Sequence, residues 1–373
     1  MLRKIVIASD SFKGSLNSAD VASCCERGIK RVLPHCQVEK VNIADGGEGT
    51  LAALLHPRCT THHCLVRNPL RKEIEAEYAT YKSTAYIELS STSGLTLVPS
   101  TDRNPWITDT YGLGEIIADA LDKGCRQFII GIGGSATNDA GIGMLSALGY
   151  RFLDNCGATV SPGGKGLIDI VSVDNSNIHP KLTEAHFTVA CDVQNPLYGP
   201  NGAAYIFAPQ KGADAAMTER LDLGLRNFAA ITQEFTGCNV SGINGAGAAG
   251  GVGAAFVAYL GAELKSGIDV ILDIADFNTL IADADLIITG EGCIDSQTLM
   301  GKAAYGVLRR AKTAGVPVVA LGGIIRDREL LTDAGFDGLY CINDPATSIE
   351  EAMKPDIAKR NIERTAELIA KLY

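Results

Sequence analysis

The chain has 373 residues, a formal net charge of −10, 46% hydrophobic residues and only 6% aromatic residues. The acidic residues are dispersed and no run of lysines and arginines stands out, so a nucleic acid is not an expected partner. No stretch approaches the ~18 apolar residues of a membrane span, which argues against a membrane partner.

The length favours two domains. The 11 cysteines are odd in number and include no C-x-x-C, which is typical of a protein in a reducing compartment. The apolar run near the start is too short for a signal peptide. We therefore expect a cytoplasmic protein.

Short β-rich runs alternate with helical patterns, which predicts βαβ units and a largely parallel sheet. Strands are predicted at residues 4–8, 38–43, 86–89, 128–132, 187–191, 286–289, 316–321 and 339–342. Helices are predicted at residues 17–32, 111–123, 214–235, 246–264, 302–314 and 349–372, the last interrupted at Pro355.

The two ends of the chain show the most regular alternation. This predicts an α/β fold in which residues 1–66 and 243–373 form a doubly wound domain, with residues 67–242 inserted as a second α/β domain. Open α/β sheets bind ligands at the carboxyl ends of their strands. We therefore expect the active site in the cleft between the domains.

The most informative motif is IGIGGSATNDAG, at residues 130–141. A predicted strand ends at Gly133 and Gly134, and the polar side chains of Ser135 and Asn138 follow. Glycine lets backbone N–H groups approach an anion closely because no Cβ intervenes. The motif predicts a loop for phosphate or carboxylate groups, although an ordinary strand-to-helix turn has a similar composition.

Four other predicted strands run into loops rich in acids, amides or glycines. These loops lie at residues 9–15, 44–50, 192–196 and 290–295. Parallel strands bring such loops to one edge of a sheet. Five loops of this kind favour a shared ligand site over unrelated turns.

Phosphoryl transfer uses this combination of groups. Mg²⁺ prefers hard oxygen ligands such as carboxylates, and phosphate groups bind backbone N–H groups and lysines such as Lys13, Lys211 and Lys302. Simpler roles remain open: Asp10 and Asp45 as helix caps, Lys302 as an ordinary residue of a helix start, and Lys211 as a surface lysine.

A rival motif is GAGAAG at residues 245–250, which matches the G-x-G-x-x-G of dinucleotide-binding proteins. It would make the chain a nicotinamide-dependent hydroxy-acid oxidoreductase. That fingerprint requires a strand immediately upstream, whereas residues 240–244 are short and contain a glycine. Packing or a phosphate-binding nest is the favoured interpretation, and a non-catalytic sensor of a small hydroxy acid is a third hypothesis.

Eight ordered motifs resemble those of the type I glycerate kinases: DSFKGS, ADGGEGT, IGIGGSATNDAG, ACDVQNPLYGPNGA, FAPQKGA, GAGAAGGVGA, YLGAELKSGID and ITGEGCIDSQTLMGKA. The resemblance extends from residue 4 to about residue 321. It implies ATP-dependent phosphorylation of D-glycerate with Mg²⁺, in glyoxylate or glucarate-type sugar-acid breakdown, and a flavodoxin-like domain built from both termini. Which hydroxyl is phosphorylated, and whether the chain forms a homodimer, stay open.

The predicted site residues follow from these motifs. Asp192 is the first choice for the base or substrate-orienting group, with Asp45 second and Lys13 as a further catalytic residue. The residues predicted to bind substrate or phosphate are Asp10, Ser11, Gly46, Gly47, Gly133, Gly134, Ser135, Asn138, Asn195 and Lys211. Gly290, Glu291, Gly292 and Lys302 are predicted to bind the nucleotide, and Glu291 and Asp295 to bind Mg²⁺.

The chain departs from the family pattern in several places. Cys293 stands where the family usually has arginine, Ser9 where it has proline, and Ala140 and Ala208 where it has glycine. The loss of the arginine matters most, because a thiol cannot replace the bidentate donation of a guanidinium to a phosphate.

Overall fold

The computed structural model describes residues 2–43 and 59–373. Three predicted site residues, Asp45, Gly46 and Gly47, lie outside these ranges. The chain divides into two compact units, one formed by residues 2–43 with 267–373 and the other by residues 59–266. Each unit combines helices with a sheet, so the predicted α/β class is confirmed.

The described strands are numbered in chain order. They are β1 (Lys4–Ser9), β2 (Gln37–Lys40), β3 (Thr60–Arg67), β4 (Glu73–Tyr81), β5 (Thr84–Glu88), β6 (Gln127–Gly131), β7 (Arg151–Leu153), β8 (Ser172–Asp174), β9 (His186–Ala190), β10 (Glu263–Lys265), β11 (Leu286–Ile294), β12 (Val318–Ile325) and β13 (Gly338–Cys341).

The α-helices in the described residues span Ser18–Val32, Ser90–Ser93, Tyr111–Asp122, Ile142–Ala147, Ala203–Phe207, Ala215–Thr236, Ala248–Leu260, Gly267–Ile274, Phe277–Ile281, Ala303–Ala314, Arg328–Ala334, Ile349–Ala352 and Pro355–Leu372. Short 3₁₀ helices span Leu95–Leu97, Ser100–Asp102, Gly164–Asp169, Leu182–Glu184, Pro209–Lys211, Val240–Gly242 and Ser296–Met300. No helix of the described residues is long and apolar enough to cross a membrane.

The first unit contains a parallel sheet with the described strands in the order β2-β1-β11-β12-β13. Counted along the unit, this order is 2-1-3-4-5, which is the flavodoxin-like arrangement. All six residues of β1 are buried, as expected for a strand covered on both faces. Ile5 and Ile7 belong to the core that includes the first and last helices, whereas Val6 and Ala8 belong to the core on the other face.

The second unit contains a mixed sheet with the described strands in the order β10-β9-β6-β5-β4-β3. β3, β4 and β5 pair antiparallel, and β5, β6, β9 and β10 pair parallel. Gly131 on β6 pairs with Ala190 on β9, so the loops that follow these strands leave the sheet side by side.

The division differs from the predicted boundaries at two stretches. Residues 59–66 and 243–266 belong to the second unit, not to the unit formed by the termini. The reason is strand pairing, because β3 extends the second sheet through β4 and β10 extends it through β9.

The sequence patterns missed the antiparallel hairpin of β3 and β4. Most residues of β3 are exposed or half-buried, so the strand lacks the apolar run that identifies a buried strand. The helix predicted at 246–264 is shorter. Its first turn contains non-helical backbone at Ala249, Gly250 and Gly251, and β10 follows its end.

Candidate functional site

A cavity of about 780 Å³ lies within the first unit, at the carboxyl ends of its parallel strands. The carboxyl-terminal residues of β11 and β12 and the segments that follow β1, β11 and β13 contribute to its lining, as expected for an open α/β sheet. The predicted site residues in this lining are Asp10, Ser11, Lys13, Glu291, Gly292 and Lys302. Six predicted site residues therefore lie in the lining of one cavity, and their roles stay predictions.

Glu291 and Lys302 form an ion pair at this cavity. The Glu291 side chain is almost fully buried, and its Oε2 lies 3.4 Å from Lys302 Nζ. The Thr298 hydroxyl donates a hydrogen bond to Glu291 Oε1. Burial raises the pKa of Glu291, while Thr298 and Lys302 act in the opposite direction. The pair keeps a cation in the cavity, just before the helix Ala303–Ala314.

The loop after β1 is tied to the end of β11. The Asp10 backbone N–H donates to the Gly290 carbonyl at 2.9 Å, and the Asp10 side chain accepts from the Ser11 N–H at 2.5 Å. A Cβ on Gly290 would lie 2.5 Å from the Leu321 carbonyl oxygen, so this position requires glycine. Gly290 therefore supports the cavity through its backbone.

An apolar wall completes the cavity. It includes Ile324 and Ile342 at the ends of strands, together with Ile349 and Met353 from the segment that follows β13. Ile349 is 64% exposed and Met353 is 40% exposed, although both are apolar. A lining of apolar side chains with a few charged groups is typical of a small-molecule pocket.

Cys293 also lines this cavity. Its thiol lies 3.6 Å from Asp295 Oδ2, to which it donates, and burial together with Asp295 raises the pKa of the thiol. Asp295 Oδ1 accepts from the Gln297 N–H at 3.0 Å and so caps the 3₁₀ helix Ser296–Met300. Asp295 therefore has a structural role in the loop where a metal ligand is predicted.

The glycine-rich loop of the second unit follows β6. Gly133 and Gly134 are exposed, Ser135 is nearly buried and Asn138 is fully buried. Within the described residues, neither polar atom of the Asn138 amide has a hydrogen-bond partner. An unpartnered buried amide costs free energy, so this loop has capacity to bind a further polar group.

Lys211 is not the surface lysine that its loop suggested. Its side chain is buried, and Nζ donates to Ser135 Oγ and to the Thr137 carbonyl, both at 2.7 Å. Burial lowers its pKa to about 7, an effect that the charge of Asp139 opposes. Lys211 thus lies directly against the glycine-rich loop, as the prediction of an anion-binding role requires.

Asp139 was missed by the sequence analysis. It is fully buried, and its Oδ2 accepts from the Thr110 N–H at 2.9 Å, the Thr110 hydroxyl at 2.8 Å and the Gly143 N–H at 3.1 Å. Burial, reinforced by Asp109, raises its pKa to about 6. Asp139 stands next to Asn138 in the motif, so its sequence position was a signal. Its structural role, however, depends on hydrogen bonds from Thr110, a residue distant in sequence.

Asp192 and Asn195 follow β9, beside the glycine-rich loop. Asp192 is exposed. Asn195 is half-buried, and its side-chain Nδ2 donates to the Asn201 carbonyl at 2.9 Å. β6 and β9 are neighbouring parallel strands, so the loops that contain these residues and the glycine-rich motif begin at the same edge of the sheet.

The GAGAAG stretch is not a dinucleotide fingerprint. The segment upstream is the 3₁₀ helix Val240–Gly242 and not a strand. A Cβ on Gly247 would lie 2.3 Å from the Pro196 carbonyl oxygen, and one on Gly250 would lie 2.2 Å from that of Thr137. The glycines therefore permit close backbone packing. The oxidoreductase alternative was based on this motif as a dinucleotide-binding site, and that interpretation is wrong.

Histidines and cysteines do not form a metal site in the part of the chain that the structure describes. No group of three or more His, Cys, Asp or Glu side chains there could hold a metal ion on protein ligands alone. The lining of the cavity of the first unit includes three carboxylates, those of Asp10, Glu291 and Asp344, and two lysines, Lys13 and Lys302. That set suits an ion that is also held by the oxygens of a bound phosphate.

Comparisons with known proteins identify the family of the chain. The model of the glycerate kinase family matches residues 5–373. The chain is 46% identical to a glycerate kinase of Bacillus cereus over 99% of this chain and 98% of the relative, and 42% identical to a glycerate 2-kinase of Escherichia coli over 94% and 93%. The crystal structure of a candidate glycerate kinase 2 from Salmonella typhimurium LT2 matches with a TM-score of 0.86 and 41% identity, covering 100% of this chain and 98% of that one. The chain therefore belongs to the glycerate kinase family.

Proposed function

We propose that this chain transfers the γ-phosphoryl group of ATP to the 2-hydroxyl of D-glycerate in the cytoplasm. Kinase activity toward glycerate follows from membership of the family. The choice of the 2-hydroxyl is supported by the name of the Escherichia coli relative, a glycerate 2-kinase. The observation that carries the proposal is the cavity of the first unit, whose lining combines lysines and carboxylates with apolar side chains.

The lining of this cavity suits both parts of ATP. Adenine is flat and apolar, which suits Ile324, Ile342 and Met353, whereas the triphosphate suits Lys13 and Lys302. Cavities that hold small ligands usually have volumes of about 300–1,000 Å³, and this one measures about 780 Å³. Lys13 and Lys302 would neutralise charge that develops on the phosphates during transfer.

Mg²⁺ is compatible with the same cavity. It is usually bound by one or two carboxylates together with substrate phosphates, and not by a complete protein cage. Asp10 and Glu291 would hold it, while Asp295 is largely engaged in capping the 3₁₀ helix. When bound, the ion would neutralise negative charge on the β- and γ-phosphates.

The acceptor is assigned to the second unit. Backbone N–H groups at Gly133 and Gly134 and the side chain of Ser135 would bind the glycerate carboxylate. Asp192, beside this loop and exposed, would accept the proton of the attacking hydroxyl or orient it. Phosphoryl transfer would form a bond between the 2-hydroxyl oxygen of glycerate and the γ-phosphorus, break the bond between the γ-phosphorus and the oxygen that bridges it to the β-phosphorus, and release ADP.

The experiment is an ADP-release assay with D-glycerate, L-glycerate and tartronate as acceptors. The proposal predicts turnover with D-glycerate that depends on Mg²⁺, and phosphorus NMR of the product identifies the phosphorylated oxygen. A 3-phosphate product would contradict the assignment of the hydroxyl. Absence of ADP release with all three acid acceptors would contradict the proposed activity.

A further inference from the structure

Lys211 is a buried cation against a loop whose glycines are open to solvent. Its side chain is 2% exposed and donates to Ser135 Oγ and the Thr137 carbonyl. An ammonium group carries three N–H donors, and the structure records two acceptors for it among the described residues. The Lys211 ammonium group, which contacts the loop, can therefore donate to one more acceptor.

The charged groups near Lys211 include carboxylates and guanidinium groups. The charge of Asp139, on the same loop, raises the pKa of Lys211 and so opposes the effect of burial. Asp109 lies close enough to Asp139 to raise its pKa, and it pairs with Arg71, whose Nε is 2.6 Å from Asp109 Oδ2. Arg103 is adjacent to Gly212, the residue after Lys211. Arg71 balances Asp109, which leaves Asp139 as the counter-charge of Lys211.

We propose that Lys211 supplies the positive charge with which the glycine-rich loop receives the carboxylate of the hydroxy acid, and that it takes up a proton when the carboxylate binds. This inference rests on the proposed function, because it assigns the acid acceptor to this loop. Lys211 is a positioning residue. Its hydrogen bonds hold the Ser135 hydroxyl and the Thr137 carbonyl in place, while Gly133 and Gly134 present their N–H groups to the ligand.

The proton uptake follows from burial. Since burial lowers the pKa of Lys211 to about 7, much of the free protein carries a neutral amine above that pH. An anion bound at the loop favours the ammonium form and raises the pKa of Lys211 again. Affinity for the carboxylate then falls as the pH rises above 7, by about tenfold between pH 6 and pH 8 if the complex stays protonated.

The test is isothermal titration calorimetry of the full chain with D-glycerate in buffers of different ionisation enthalpy. At pH 8 the wild-type protein is expected to take up about one proton per glycerate bound, and at pH 6 almost none. Inorganic phosphate and ATP, titrated separately, distinguish a carboxylate site from a general anion site. Proton uptake of the same size with phosphate or with ATP alone would overturn the assignment to the hydroxy acid.

Variants separate charge from structure. Lys211→Arg keeps a permanent charge, so its glycerate affinity should be nearly constant between pH 6 and pH 8 and its proton uptake should vanish. Ser135→Ala should weaken binding but keep the uptake, and Lys165→Met, a half-buried lysine of the same unit, should change neither. If Lys211→Arg does not fold, the wild-type measurement still decides.

The outcomes also distinguish this inference from the proposed function. If D-glycerate is phosphorylated but binds without proton uptake at pH 8, the role of Lys211 is wrong and the activity stands. In steady-state kinetics the pH effect should appear in the KM for glycerate, with little change in the KM for ATP. If D-glycerate neither binds nor reacts, both the activity and the role of Lys211 are overturned.

Discussion

The ion pair of Glu291 and Lys302 allows the roles of charge in folding and in catalysis to be separated. We consider Lys302→Met, which keeps much of the side-chain length and removes the charge. The variant takes away a cation that we assign to the phosphates. It also leaves the nearly buried Glu291 carboxylate with the Thr298 hydroxyl but without its lysine.

The two consequences have different sizes. Removing one partner of a fully buried pair costs about 3–5 kcal/mol, but Lys302 is 40% exposed, which lowers the expected loss of unfolding free energy to about 1–2 kcal/mol. The loss of a preorganised donor to a transferring phosphate costs about 10²–10³ in kcat. Activity should therefore fall much further than stability.

A double-mutant cycle with Glu291→Gln tests this directly. The amide that this substitution introduces can still accept from Thr298 but leaves no uncompensated charge, so the double variant should regain most of the stability that Lys302→Met loses. It should regain none of the activity. Stability is measured by urea denaturation, and kcat and the KM for ATP by ADP release. A Lys302→Met variant with wild-type kcat and KM for ATP would refute the assignment of this lysine to the phosphates.

Three further predictions concern other positions. Gly28→Ala should lower the unfolding free energy by about 2 kcal/mol in urea denaturation, because its Cβ would lie 2.2 Å from the Glu363 carbonyl oxygen. Gly242→Ala is the control, because no atom lies near the position that its Cβ would take. Equal effects of the two substitutions would contradict the packing argument. Cys293→Arg should lower the KM for ATP about tenfold, since a guanidinium adds a bidentate phosphate contact. An unchanged KM would show that Cys293, in place of the family's arginine, does not weaken ATP binding. Asp192→Asn should reduce kcat by about 10²–10⁴, and a residual rate above about a tenth of wild type would exclude a base.

Much of the fold was predictable because its strands are buried. β1, β11 and β12 each contain a short apolar run, and such runs identify parallel strands without knowledge of the rest of the chain. β3 lies at the edge of a sheet and buries few of its side chains. Its assignment depends on pairing with β4, a contact that local hydrophobicity does not encode.

The charged groups of the candidate site were predictable for a similar reason. Asp10, Glu291 and Lys302 directly follow predicted strands or precede a helix, and strand order alone brings them to one edge. Lys211 was identified as an anion-binding candidate, but its burial was not. That burial depends on the 3₁₀ helix Pro209–Lys211, which places the side chain against Ser135. The sequence around Lys211 does not specify a contact with a residue so distant along the chain.

The glycine-rich stretch at residues 245–253 shows why a motif requires its structural context. Ala140 and Ala249 both adopt left-handed backbone conformations, with φ of 50° and 52°. The Ala140 N–H donates to the Gly250 carbonyl at 2.9 Å, so this stretch packs against the loop that contains Ser135. Residues with side chains seldom adopt such conformations unless the surrounding structure enforces them, and they cluster at functional sites. The glycines that resemble a dinucleotide motif are therefore better understood as the support that fixes the predicted acid-binding loop.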